Sequence, residues 1–266
     1  MRNKKWIAGC LLATCCLSLT AQDGIRRALK EIEHNSTTLR SMKKAATATM
    51  AGNRTSLALE APEIGFNYLF GSNSSMPHRQ DISVSQTFDF PTIGGAKRHA
   101  ADGLDSLAAR TFDADRAAYL LAAEKSCIEL VYCNAAAAIF KRHRAILAEV
   151  VSLTEQAYAR GNATAQELND SQLALAELQL DEADNETERA TLAAGLCQLN
   201  GGRLLVLTDT AYASRALPDD FDDWWDDTHD MWPALRVAEA DVEAGHSAAR
   251  LIRSENLPAL SLGFMQ

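Results

Sequence analysis

The densest set of groups that could do chemistry is "LPDDFDDWWDDTHDMWP", Leu217 to Pro233, where seven aspartates and His229 stand beside three tryptophans. An oxygen-rich run of this kind can hold a divalent cation, and Asp219 to Asp230 is the candidate. No fixed ligand spacing stands out, which favours the other reading: a solvated acidic helical connector whose tryptophans pack on a neighbouring helix. The rest of the chain offers little for catalysis. It has no glycine-rich phosphate loop, no cysteine pair at zinc spacing and no HExxH. Its histidines read as surface residues, with His99 and His143 inside the basic clusters "KRH" and "KRHR". Acid pairs occur only on solvated helix faces. No catalytic residue, metal ligand or cofactor is assigned, and the chain reads as a non-enzyme.

The elements around that run are mostly helical. Of 266 residues 47% are hydrophobic but only 6% aromatic, and much of the apolar content is alanine, a composition that suits long helices packed closely together. The formal net charge of −9 argues against a nucleic-acid partner, which needs a basic face. Residues 1–21 read as an export signal: Arg2, Lys4 and Lys5 precede a mostly apolar stretch from Trp6 to Leu19, and Ala21 offers a cleavage point before Gln22. "IAGC", Ile7 to Cys10, looks like a lipoprotein cleavage box but has almost no apolar run ahead of it. Signal removal leaves Cys127, Cys133 and Cys197, which read as small buried apolar residues; a Cys133–Cys197 bridge is the alternative. No later run is long or apolar enough for a membrane-spanning helix, so any crossing must be by strands.

Apolar periodicity predicts a helix over 25–59 and then a strand hairpin over 62–91. In "APEIGFNYLFG", Ile64, Phe66, Tyr68 and Phe70 point one way; in "DISVSQTFDFP", Ile82, Val84, Phe88 and Phe90 share a face opposite small polar residues. Each segment is about the 9–11 residues that cross a bilayer at a tilt. A soluble sandwich gives the same alternation; a lipid-facing exterior with a watery interior also accounts for the export signal. A helical run then extends from about 96 to 160 with Gly103 as its one glycine, on the order of 95 Å if continuous. "ARGNAT" is a turn, Gly161 and Asn162 being the residue types that most readily take left-handed backbone angles. The next helix, 163–199, has Leu168, Leu175 and Leu196 in one heptad register and Leu178, Leu192 and Leu199 in the other, with Glu182, Asn185 and Arg189 at seam positions between them. The helical hairpin thus covers 96–200, and "LNGG" ends a unit spanning 22–202. An acidic connector, 203–232, follows.

Residues 233–266 then repeat the opening. At an offset of 196 residues Leu39-Arg40 falls on Leu235-Arg236, Ala48 on Ala244, Arg54 on Arg250 and Pro62 on Pro258. Ile64, Phe66 and Tyr68 then fall on Leu260, Leu262 and Phe264, which predicts a third strand with the same apolar face. A period this long means two large repeats rather than a solenoid.

This order of parts resembles the TolC-like outer membrane efflux proteins, in the branch of Bacteroides-type bacteria related to cation efflux channels. "YARGNATAQELNDSQLAL" matches the family's helix-turn pattern at Gly161, Glu167, Leu168, Ser171 and Gln172, and "VSQTFDFPTIGGAKR" looks like its strand-to-helix passage. "LCQLNGG" and "DTAYAS" fit the end of the first repeat, and "LRVAEADVEAGHSAARLIRSENLPALSLGF" the start of the second. The resemblance implies a mainly α fold with a small β part: long antiparallel coiled-coil helices and a β-hairpin contributing to a trimeric outer membrane β-barrel and a periplasmic α-barrel. It implies a homotrimer that works with a periplasmic adaptor and an inner-membrane pump in passive export of small molecules or cations. Ile64, Phe66, Tyr68, Phe70, Ile82, Val84, Phe88, Phe90, Leu260, Leu262 and Phe264 would face outer membrane lipid. The turn Arg160, Gly161, Asn162, Ala163 and Thr164 would dock the adaptor, although Asn162 stands where the family usually has an aliphatic residue. Against the family pattern the second repeat is cut short after one strand, so a C-terminally truncated, non-functional channel fragment is one alternative. A periplasmic coiled-coil adaptor or binding protein is the other.

Overall fold

Alanine and leucine are the commonest residues of the chain, and helix dominates its structure. A computed structural model describes residues 19–70, 79–211, 218–256 and 260–266. Residues 1–18 of the expected export signal, the hairpin loop 71–78 and Pro258 lie outside the described residues. The elements are α1 (Leu19–Asn35), α2 (Thr37–Asn53) with a 3-10 turn at Arg54–Leu57, β1 (Glu63–Leu69) and β2 (Arg79–Phe88). There follow α3 (Pro91–Ala159), α4 (Ala165–Leu199), α5 (Phe221–Thr228) with a 3-10 turn at His229–Met231, α6 (Pro233–Ser254) and β3 (Leu260–Met265). The chain divides into two units, one made of 1–41 with 116–219 and the other of 42–115 with 220–266.

In the first unit, helical spacing sets the core. Ala28 and Ile32 of α1 meet Ala123, Cys127, Leu130 and Val131 of α3 and Leu196 of α4. Leu205 and Leu207 complete it from an extended segment after α4; they are buried while Leu204 and Val206 between them are exposed. That segment sits in what the sequence presents as a connector, and its two-residue alternation is the signal that marks it as packed.

The helix expected over 25–59 is instead two. Ser36 breaks it: its amide still bonds the Ile32 carbonyl at 2.8 Å, while its hydroxyl accepts the Leu39 amide at 3.2 Å and so caps α2. The same hydroxyl donates to the Tyr119 hydroxyl at 2.9 Å, and Tyr119 donates to the Leu199 carbonyl at 3.0 Å. The cluster "HNSTT" offers the backbone side-chain partners that compete with helix.

α4 ends on a left-handed glycine. Gly201 has φ +70; its amide bonds the Gln198 carbonyl at 3.1 Å, and the Gly202 amide bonds the Cys197 carbonyl at 2.9 Å. A Cβ at Gly201 would come within 2.6 Å of the Asn35 carbonyl oxygen. Asn200 is fully buried, donating to Glu31 Oε1 at 2.9 Å and the Arg203 carbonyl at 3.1 Å and accepting from Asn35 at 3.0 Å.

The second unit holds a three-stranded antiparallel sheet in the order β1-β2-β3. The two repeats therefore supply one strand each to either side of β2. α6 approaches α3 closely because Gly103 lacks a side chain: a Cβ there would lie 3.2 Å from the Ala244 Cα. Asn53 and Arg54 both hold Asp105, at 3.0 and 2.9 Å. The long helix starts at Pro91 rather than near residue 96. Proline is pre-shaped for the first helical position and has no amide to leave unsatisfied, and the Ile93 amide already bonds the Phe90 carbonyl at 2.8 Å.

Candidate functional site

Two places carry the residues singled out by sequence, the sheet and the turn between α3 and α4. In the sheet, directly opposed residues of an antiparallel pair share a face. Ile64 opposes Val84, which opposes Phe264; Phe66 opposes Ile82; Phe88 opposes Leu260 and Gln86 opposes Leu262. Tyr68, partly covered, lies on the same face opposite Gln80. The other face pairs Glu63 with Ser85, Gly65 with Ser83, Asn67 with Asp81 and Thr87 with Ser261.

The apolar face of this sheet is exposed. Ile64 is 75% exposed, Phe66 66%, Leu262 71% and Phe264 66%. Along β2 the polar-face residues Asp81, Ser83, Ser85 and Thr87 are half-covered, as is Gln86 of the other face, while Ile82, Val84 and Phe88 are exposed; β1 apart from Tyr68, and all of β3, are exposed on both faces. Two of the expected strand residues fall outside strands. Phe70 follows the end of β1 and meets the Tyr68 ring edge-on with centroids 4.4 Å apart; Phe90 lies between β2 and α3. Strand pairing ends before each, so neither holds a register position. Gln86, not singled out by sequence, sits within the apolar face, and its amide is satisfied by the carbonyls of Glu60 at 2.7 Å and Thr87 at 3.1 Å. Its even position among Ile82, Val84 and Phe88 was the available signal.

The turn is built from two caps, one on each helix. Gly161 has φ +74 and is the one residue of the turn with positive φ, so Asn162 does not take the left-handed angles its type allows. The Gly161 amide bonds the Tyr158 carbonyl at 2.9 Å and the Asn162 amide the Ala157 carbonyl at 2.9 Å, which closes α3. Thr164 caps α4: its Oγ1 accepts the Glu167 amide at 3.2 Å, and Glu167 Oε2 accepts the Thr164 amide at 2.7 Å and hydroxyl at 3.0 Å. The Thr164 amide, and then its hydroxyl, hold the Glu167 carboxyl below its ordinary range. Arg160, Gly161, Asn162 and Thr164 are exposed and Ala163 half-buried. The Arg160 guanidinium folds back onto Gln156. Leu168 is half-buried, Ser171 donates to the Leu168 carbonyl at 2.8 Å, and Gln172 reaches Glu155 of α3 at 3.4 Å.

Further along the hairpin the polar seam residues find partners. Glu182 pairs with Arg144 at 3.5 Å, Asn185 donates to the Cys133 carbonyl at 3.2 Å, and Arg189 meets Glu186 at 3.2 Å. The first two tie α4 to α3 at fixed heights. Cys127, Cys133 and Cys197 are free thiols; burial, aided by the Glu124 charge, pushes Cys127 up to about 11.

The acidic run forms α5, with Asp220 accepting the amides of Asp222 and Asp223 as its cap. Among the described residues no three of His, Cys, Asp and Glu converge on a possible metal position. Trp225 stacks on His229 and Phe221 and meets Trp232 edge-on, because four-residue spacing puts these rings on one face of the run itself.

No protein-family model matches the sequence, and no curated protein matches it. Solved structures do match. CusC, whose structures report conformational changes accompanying folding and transmembrane channel formation, superposes with TM-score 0.73 at 14% identity over 92% of this chain and 60% of its own. The outer-membrane channel OprN gives 0.69 at 16% identity over 92% and 59%. The CmeC outer membrane channel of Campylobacter jejuni gives 0.65 at 14% over 91% and 56%. The chain therefore has the fold of these outer membrane channels. It spans about 60% of the length of the channels it matches. Among the described residues no helix is long and apolar enough to cross a membrane.

Proposed function

We propose that this chain is part of the channel component of a tripartite efflux system in a Gram-negative outer membrane. It performs no catalysis; small molecules or cations delivered by an inner-membrane pump through a periplasmic adaptor leave passively through it. β1, β2 and β3 contribute to a barrel shared between three copies. The face bearing Ile64, Phe66, Val84, Leu262 and Phe264 lies on lipid, and the face bearing Ser83, Ser85 and Thr87 lines water. A barrel closed between copies satisfies the backbone groups at the outer edges of β1 and β3, which lipid cannot. The helices stand in the periplasm, and Arg160 to Thr164 meet the adaptor.

The observation that carries this reading is the exposed apolar face of the sheet. An apolar face left in water would be a liability, and lipid removes it. Assembly of copies is supported by a second stripe of exposed apolar residues on α3: Tyr132, Ile139, Ile146 and Leu153 recur every seven residues outside the buried core. Fractionation tests the reading. A heat-modifiable oligomer in the outer membrane is the expected result; a soluble periplasmic monomer refutes it.

A further inference from the structure

The acidic run, which the channel reading does not use, presents an ordered aromatic face. Phe221, Trp225 and His229 follow at four-residue spacing along α5 and the turn after it. Phe221 and Trp225 stack with centroids 6.3 Å apart, and Trp225 and His229 stack at 5.8 Å. Trp224 leans on Phe221 at 5.6 Å, and Trp232 meets Trp225 at 5.8 Å. The rings hold one another in place, yet each keeps part of its surface in water: Phe221 is 66% exposed, Trp232 52%, Trp224 41% and Trp225 37%. Asp222, Asp223, Asp226 and Asp227 are exposed on the same short helix, and no lysine or arginine occurs between Arg215 and Arg236.

Exposed tryptophans and phenylalanine at this density are the side chains that anchor protein interfaces. They stand on a helix surface rather than in a hollow, which suits another protein's face better than an enclosed small molecule. Charge then selects the partner. The carboxylates repel anionic headgroups and a second copy of the same patch. They attract lysine and arginine, whose cationic groups also sit favourably on aromatic faces.

We propose that α5 and the turn after it form a docking surface for a basic amphipathic helix of a partner protein. The partner's apolar side lies on Trp225 and Trp232, and its lysines and arginines reach Asp222, Asp223, Asp226 and Asp227. The surface uses neither the sheet nor the hairpin turn, so its test is separate from that of the channel.

The chain reports on this surface itself: Trp224, Trp225 and Trp232 are three of its four tryptophans, and the fourth, Trp6, lies in the expected export signal. The experiment titrates the mature protein in detergent with a dye-labelled leucine–lysine amphipathic helical peptide, following tryptophan emission and peptide anisotropy. A saturable blue shift is expected, absent with the matching leucine–glutamate peptide. Affinity falls about tenfold or more in D222N/D223N/D226N/D227N and separately in W225A/W232A, with far-UV circular dichroism confirming that each variant keeps its helix content. Equal binding by both variants, or by the acidic peptide, overturns the proposal. So does the same shift produced by phosphatidylglycerol vesicles, or by raising protein concentration alone, since these assign the face to lipid or to a second copy.

Discussion

Thr164 and Glu167 cap each other: each accepts a hydrogen bond from the other's backbone amide, at 3.2 and 2.7 Å, across the first turn of α4. The turn proposed to meet an adaptor is thereby held rigid by its own chemistry. The cap needs an ionised Glu167. Its carboxyl is lowered from the ordinary 4.5 by the Thr164 amide and hydroxyl, so its stabilisation is present above that value and is lost as pH falls through the lowered one. Protection factors over 164–168, which correct for the intrinsic exchange rate at each pH, are expected to fall on acidification in that window, and E167Q to be less protected at neutral pH. T164A should cost about 1 kcal/mol. Unchanged protection in both variants would show that the cap is idle.

Two glycines with the same backbone angle should respond differently to alanine. Gly161, φ +74, has open space where a Cβ would stand, so G161A carries only the left-handed backbone cost, roughly 1–2 kcal/mol. Gly201, φ +70, would drive its Cβ to 2.6 Å from the Asn35 carbonyl oxygen, so G201A should be clearly the worse. Thermal melts of the two variants check the order; equal melting temperatures would contradict it.

On the sheet, the two faces should tolerate charge unequally. Val84 stands between Ile64 and Phe264 on the apolar face, and V84R is expected to reduce the outer membrane fraction, at a cost of about 2–4 kcal/mol if the site lies near the bilayer midplane. S85R, one residue along and on the polar face, should insert normally. Equal losses would argue against lipid on one face.

His229 gives a pH-dependent signal. Its Nδ1–H donates to the Trp225 carbonyl at 2.9 Å, and its ring stacks on Trp225. That hydrogen bond, with Asp230 and Asp226 nearby, raises its pKa above the ordinary 6.5. The protonated form is the one favoured by folding, so its contribution is full below 6.5 and fades as pH rises through the raised value. Tryptophan emission should titrate with a midpoint above 6.5, and H229Q should abolish the transition. A midpoint below 6.5 would contradict the geometry.

Much of this was legible in the sequence. The strand faces follow from two-residue alternation, and β3 from a repeat that places Leu260 and Phe264 on Ile64 and Tyr68. The turn follows from Gly161. What escaped depended on tertiary partners or local competition. Ser36 reads as one polar residue on a helix until Tyr119 and Leu39 engage its hydroxyl. Leu205 and Leu207 alternate with Leu204 and Val206, but they stand beside an acidic run whose composition reads as a connector. Pro91 looks like a terminator, although a proline at the first turn starts a helix as readily. The tryptophans of the acidic run pair with Phe221 and His229 along the run itself, a pairing that composition does not specify.

The lipid-facing sheet is tested most directly by paired labels on adjacent residues. In outer membranes from cells expressing V84C or S85C with Cys197 replaced by serine, a fluorophore at each position is challenged with lipid-borne and with water-soluble quenchers. Quenching by lipid at Val84 and by the aqueous reagent at Ser85 is the expected pattern. Aqueous quenching at both positions would contradict the placement of the apolar face on lipid, and with it the channel.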